Sequence, residues 1–125
     1  MKKLLFVFPC LLLNASIFSQ EIRIEELKKH ITYLSSDELQ GRGTSSEGEK
    51  KAAGYIMQQF RMAHLLPKGT HGYVSEFTFR KNPDPHDTNT VDLPERKGLN
   101  VIGFLNNDAE YTVVIGAHHD HLGMG

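Results

Sequence analysis

Three histidines and one aspartate stand together in "GAHHDHLGMG", residues 116–125, directly after the apolar run "TVVI". In an extended chain successive side chains alternate between faces, so His118 and Asp120 share one side while His119 and His121 take the other. A single ion gripped by all four is therefore disfavoured. The first pair has its own chemical logic. A neutral imidazole binds zinc through one ring nitrogen, and a carboxylate two residues on accepts a hydrogen bond from the other, fixing the tautomer and raising basicity. Zinc takes three or four protein ligands, so distant segments must supply the rest. The plainer alternative is a solvated polar loop after a strand, and a motif this short does not decide between them.

Other polar residues carry less. Arg42, between Gly41 and Gly43, has the choice of contacting a substrate or holding its loop by pairing with carbonyl or carboxylate groups; the second is favoured for an arginine so placed. Asp84, His86 and Asp87 in "DPHD" are candidate ligands of a second metal, but the interspersed prolines keep such side chains from converging, which favours a solvated loop. His64 and His71 lack a spaced partner and read as helix-end and loop residues. The glycines around Arg42 do not make a phosphate loop, which needs a lysine followed by serine or threonine.

The elements that must position these residues follow from periodicity. Ile24, Leu27, Ile31 and Leu34 recur at spacings of three and four, predicting an amphipathic helix. "SSDELQGRGTSSEG" reads as a loop opening with a short helical turn. A second helix starts near Ser46, which caps it while Glu49 reaches back. Ala52, Ala53, Ile56, Phe60 and Ala63 form its apolar stripe, and Pro67 and Gly69 end it. "YVSEFTF" alternates as a half-buried strand, with Tyr73, Ser75, Phe77 and Phe79 on one face. The charged, proline-containing stretch from Arg80 to Gly98 predicts a long exposed loop. "LNVIGFL" and "YTVVIGA", separated by the turn-like "NNDAE", are candidate antiparallel partners. Val113, Val114 and Ile115 form an unbroken apolar trio, which predicts a last strand covered on both faces. Such a strand needs neighbours and helices on either side. Three strands and two helices are too few to provide them, so the set reads as part of a larger layered α/β domain.

Composition sets the outer bounds. With 125 residues, 39% hydrophobic and 23% charged, the chain is ordinary globular material for one domain at most. A net charge of -1 without a basic block disfavours nucleic acid as a partner. Residues 1–19 carry Lys2 and Lys3, an apolar run from Leu4 to Leu13 and a polar exit, the layout of a secretory signal peptide. The run is too short to span a bilayer, which takes roughly 20 apolar residues. An exported, periplasmic or extracellular protein without a transmembrane anchor is expected, its mature portion being residues 20–125. Losing the two lysines takes the charge from -1 to -3. Cys10 falls within the leader, so the mature portion has no cysteine and forms no disulfide. A lipid anchor on Cys10 is the competing reading, disfavoured by the bulky Phe8 and Pro9 before it.

The order "HITYLSSDELQGRGTSSEGEKKAAGYIMQQF", "LNVIGFL", "TVVIGAHHDHLG" closely resembles the amino-terminal part of the secreted zinc aminopeptidases of metallopeptidase family twenty-eight. Three motifs in one order carry the resemblance, which spans nearly all of the mature chain. The resemblance implies an incomplete three-layer, mixed-sheet α/β exopeptidase domain holding two zinc ions when whole. It makes His118 the first zinc ligand and Asp120 the carboxylate that orients it. It places the other ligands, including a bridging aspartate, and the general-base glutamate farther along the chain. The complete site would polarise a peptide carbonyl and activate a bridging water, removing single residues from the amino termini of peptide or protein substrates. His119 stands where the family often has tyrosine, and "AHLLPKG" replaces its usual leucine-glycine-leucine helix end. Two other classes compete: a secreted module that captures a metal with its terminal histidines, and a non-catalytic relative that binds a protein partner. The sequence does not fix an oligomeric state.

Overall fold

The computed structural model describes residues 23–82, 86 and 92–124. The expected leader with Cys10, and Asp84 and Asp87 of the proline-containing loop, lie outside the described residues.

The first amphipathic pattern forms α1, Ile24–Leu34, with Glu25 and Glu26 in its first turn where the helix dipole favours negative charge. It meets the second helix through aromatic side chains rather than its aliphatic stripe. The Tyr33 and Tyr55 rings stand 4.3 Å apart, and His30 Nδ1 lies 2.6 Å from the Tyr55 hydroxyl. Ile24, Leu27 and Ile31 remain exposed.

A 3-10 helix, Asp37–Arg42, follows and is broken at Gln40 and Gly41, both left-handed. Its Leu39 is fully buried. Next comes α2, Glu47–Met62, capped by Ser46, whose Oγ accepts the Glu49 N–H at 3.2 Å. Ala52 and Ala53 are buried, as the stripe predicts. The helix closes a turn before Pro67, because His64 adopts φ 55° and allows two closing bonds. The Leu65 N–H reaches the Phe60 carbonyl and the His64 N–H reaches that of Arg61, each at 3.0 Å, the Schellman pattern. Ala63 thus sits at the cap, exposed, rather than on the buried stripe.

Two small antiparallel sheets complete the architecture. β1, Leu66–Pro67, pairs with β4, Gly103–Phe104, and β2, Val74–Phe79, pairs with β3, Arg96–Val101. The register of the larger pair runs from Val74 opposite Val101 to Phe79 opposite Arg96. Phe77 lies across from Gly98, where any side chain would strike its ring. The expected partner of "LNVIGFL" is therefore corrected: it pairs with the strand before it in sequence. It also changes partner at Ile102, whose N–H reaches the Tyr73 carbonyl at 2.7 Å while its own carbonyl accepts from the Lys68 N–H at 3.2 Å.

The expected last strand is also corrected. "NNDAE" does turn, with Asn106 Oδ1 accepting the Asp108 N–H at 3.3 Å, but residues 112–117 after it are in no sheet. Val113, Val114 and Ile115 are 84%, 87% and 93% exposed. β-branched residues favour a pleated, packed surface, and no described strand pairs with them. The architecture is thus mixed helices with small antiparallel sheets. Among the described residues, no helix is long and apolar enough to cross a membrane.

Candidate metal-ligand site

Residues 41–44, the "GRGT" stretch that ends the 3-10 helix and leads toward α2, hold residues 119–123 alongside them. The His121 N–H reaches the Arg42 carbonyl at 2.8 Å and the Gly123 N–H reaches that of Gly41 at 3.0 Å, giving a parallel bridge between Gly43 and His121. Gly41 is required here twice over. Its φ is +64°, and a Cβ at this position would lie 2.6 Å from the Gly123 carbonyl oxygen. Arg42 adds a side-chain clamp, its Nε donating to the His119 carbonyl at 2.8 Å. It holds its loop through a carbonyl, the role its glycine neighbours favour.

On this rail sit the sequence candidates. The His118 side chain is 79% exposed. Its Nδ1 lies 2.8 Å from the main-chain carbonyl of Asp120. A carbonyl only accepts, so Nδ1 carries the proton, and in the neutral ring Nε2 holds the lone pair. The Asp120 carboxylate is farther, with Oδ1 3.6 Å from the same nitrogen, beyond hydrogen-bond reach. Asp120 therefore meets His118 through its main chain, not through the carboxylate contact the spacing predicts. The carboxylate is held by Thr44 instead, whose Oγ1 donates to Oδ2 at 2.6 Å. That bond is the main reason the Asp120 carboxyl lies below its usual range; partial burial opposes the shift, and its own N–H with the adjacent histidines assists it. His119 turns its ring inward, where Nε2 has no hydrogen-bond partner among the described residues.

Beneath the rail lies Glu49, a carboxylate only 1% exposed. Oε2 accepts the Ser45 N–H at 2.6 Å and Oε1 accepts the Leu99 N–H of β3 at 3.0 Å. The first-turn position in α2 adds the favourable helix dipole. Glu49 thus does more than cap: it fixes the loop to the sheet. A cavity of about 800 Å³ opens between α2, β3 and the extended run, with Ile56, Phe60, Leu99, Val101, Val113 and Ile115 on its walls.

Among the described residues, no group of three or more histidine, cysteine, aspartate or glutamate side chains converges on one point. His118 offers one nitrogen, short of the three or four ligands zinc takes. No protein-family model, curated protein or solved structure matches the chain. Thr44 is the residue the sequence did not single out. A hydroxyl after glycine-arginine-glycine is an ordinary loop residue, and its acceptor lies 76 positions away.

Proposed function

We propose that residues 20–125 form the amino-terminal portion of a three-layer, mixed-sheet zinc aminopeptidase domain, exported and acting on peptide or protein amino termini. The observation that carries this reading is the presentation of His118. Its Nδ1 is satisfied by the Asp120 carbonyl and its side chain is largely exposed, in a segment fastened to the "GRGT" loop by main-chain and arginine bonds. This is how a first zinc ligand must be prepared, with the tautomer set by the nitrogen that does not bind. The order of the three family-like motifs supports the same reading. The apolar walls of the cavity support the incomplete sheet, since strand-forming residues on both sides face a space that further strands would fill.

Within this reading His118 supplies one metal-binding nitrogen and Asp120 holds the segment that orients it. Further ligands and the general base come from residues beyond those described, so the chain alone is inactive. Three measurements test this. The 125-residue chain assayed on an amino-acid anilide with zinc is expected to show no turnover; turnover comparable with a complete peptidase would sink the fragment reading. The native protein is expected to have a mass about twice that of this chain or more, which is what a domain enclosing such a sheet requires. It should lose hydrolysis on chelation and regain it with zinc.

The exposed His118 and His121 favour a second reading, a secreted non-catalytic module that captures a metal or a protein partner. Calorimetry separates the two. Tight stoichiometric zinc binding by the chain, abolished in His118→Ala, belongs to the module.

A further inference from the structure

We propose that Thr44 is a positioning residue whose hydroxyl, by holding the Asp120 carboxylate, sets the orientation of the His118 imidazole; its functional meaning rests on His118 being a metal ligand. The bonds from Arg42 and Gly41 fix the main chain at His119, His121 and Gly123. None of them constrains the Asp120 side chain. Among the described residues its carboxylate is held by Thr44 Oγ1, at 2.6 Å on Oδ2. Oδ1 is left 3.6 Å from His118 Nδ1, while the Asp120 carbonyl lies 2.8 Å from the same nitrogen. Two acceptors on one residue thus compete for one imidazole N–H, and the carboxylate is intrinsically the stronger. With Thr44 occupying the carboxylate, the carbonyl keeps the imidazole. Without the hydroxyl, the carboxylate is released to take the His118 Nδ1–H, 3.6 Å from Oδ1, and the ring rotates after it.

The test uses nitrogen NMR of the imidazoles in the full 125-residue chain, read through their carbon-bound protons above the ordinary imidazole titration range. In Thr44→Val the His118 Nδ1 resonance is expected to shift downfield as its acceptor changes from carbonyl to carboxylate. In Thr44→Ser, which restores the hydroxyl, it is expected to return to the wild-type position. The His121 and Gly123 amides should keep their exchange protection in both variants, because their acceptors are main-chain carbonyls. Thr44→Ala serves as a second hydroxyl-free variant should valine disturb the loop. An unshifted His118 resonance in the hydroxyl-free variants, no rescue by serine, or loss of amide protection together with the shift would each overturn the proposal. Addition of zinc chloride to the metal-free longer native protein, which the proposed function expects to supply the remaining ligands, tests the underlying reading separately. If it leaves the His118 Nε2 resonance unmoved, His118 is not a metal ligand, while the Thr44 result stands or falls on its own.

Discussion

The carboxylate of Glu49 shows how much one residue can join. It accepts the N–H of Ser45, beside its own helix cap, and that of Leu99, 50 positions away, from a fully enclosed site. Glu49→Gln keeps the shape but turns an amide NH2 toward one of these donors, leaving a buried N–H unsatisfied. We expect a loss of about 1–3 kcal/mol in urea unfolding. Glu49→Asp, one methylene shorter, should lose the reach to Leu99 and cost a similar amount. A loss under about 0.5 kcal/mol in both would show that water replaces these contacts. Half of this arrangement is legible in the sequence: a serine three residues before a glutamate, ahead of an apolar stripe, announces a cap. The other half is not, because nothing near Leu99 marks its amide as needing an acceptor. His118 and Asp120 divide in the same way. Alternation puts them on one side, but only three-dimensional packing decides that Thr44 takes the carboxylate and leaves the carbonyl for the imidazole.

Elements whose signals are local came through the sequence well, and those that depend on a distant partner did not. α1, α2 and β2 follow from spacing within a few residues of one another. The partner of β3 does not, since either flanking strand satisfies the alternation. The end of α2 shows a local signal misplaced, as Pro67 and Gly69 mark a stop that His64 has already made. A left-handed φ is costly for a residue with a Cβ, roughly 1–2 kcal/mol, and glycine escapes that cost. His64→Gly is therefore expected to raise the urea midpoint, by up to about 1 kcal/mol of stability after the entropy of the unfolded chain is counted. His64→Val, β-branched, should lower it. The reverse order would mean that the histidine ring makes a contact that outweighs its backbone. Across β2 and β3, Lys97 Nζ donates to Glu76 Oε2 at 3.0 Å. This bond, then the lysine charge, holds the Glu76 carboxyl below its ordinary value of 4.5. Because the folded value is the lower one, the pair stabilises above the ordinary carboxylate range, and that contribution disappears as pH falls through the lowered value. Lys97→Ala should flatten this part of the acid-side slope. The effect is small because both groups are solvated, and added salt should screen it further. A slope unchanged by the substitution at low salt would mean the ion pair does not persist in solution.

At the scale of the molecule, the distribution of apolar surface is the feature with consequences. Among the described residues the core is small, comprising Leu39, Ala52, Ala53 and Tyr73 with the buried Glu49 among them. Meanwhile the strongest strand-forming run, Val113 to Ile115, lies almost wholly in solvent, and Ile24, Leu27 and Ile31 line an uncovered helix face. Apolar trios are found on surfaces when something else covers them, and contiguous patches otherwise favour association. This separates a self-sufficient module from part of a larger sheet by one substitution in two contexts. In the 125-residue chain, Val114→Asp removes little buried surface and should change stability by no more than about 0.5 kcal/mol. It should also reduce self-association, measured by sedimentation, because it breaks the patch. In a longer native protein whose sheet takes up this run, the same aspartate would be an unpaired buried charge, and the loss should reach about 3–5 kcal/mol or prevent folding. A Val114→Asp native protein as stable and as active as its parent would mean the run stays exposed there too. That outcome would remove the expected last strand, and with it the element expected to position His118.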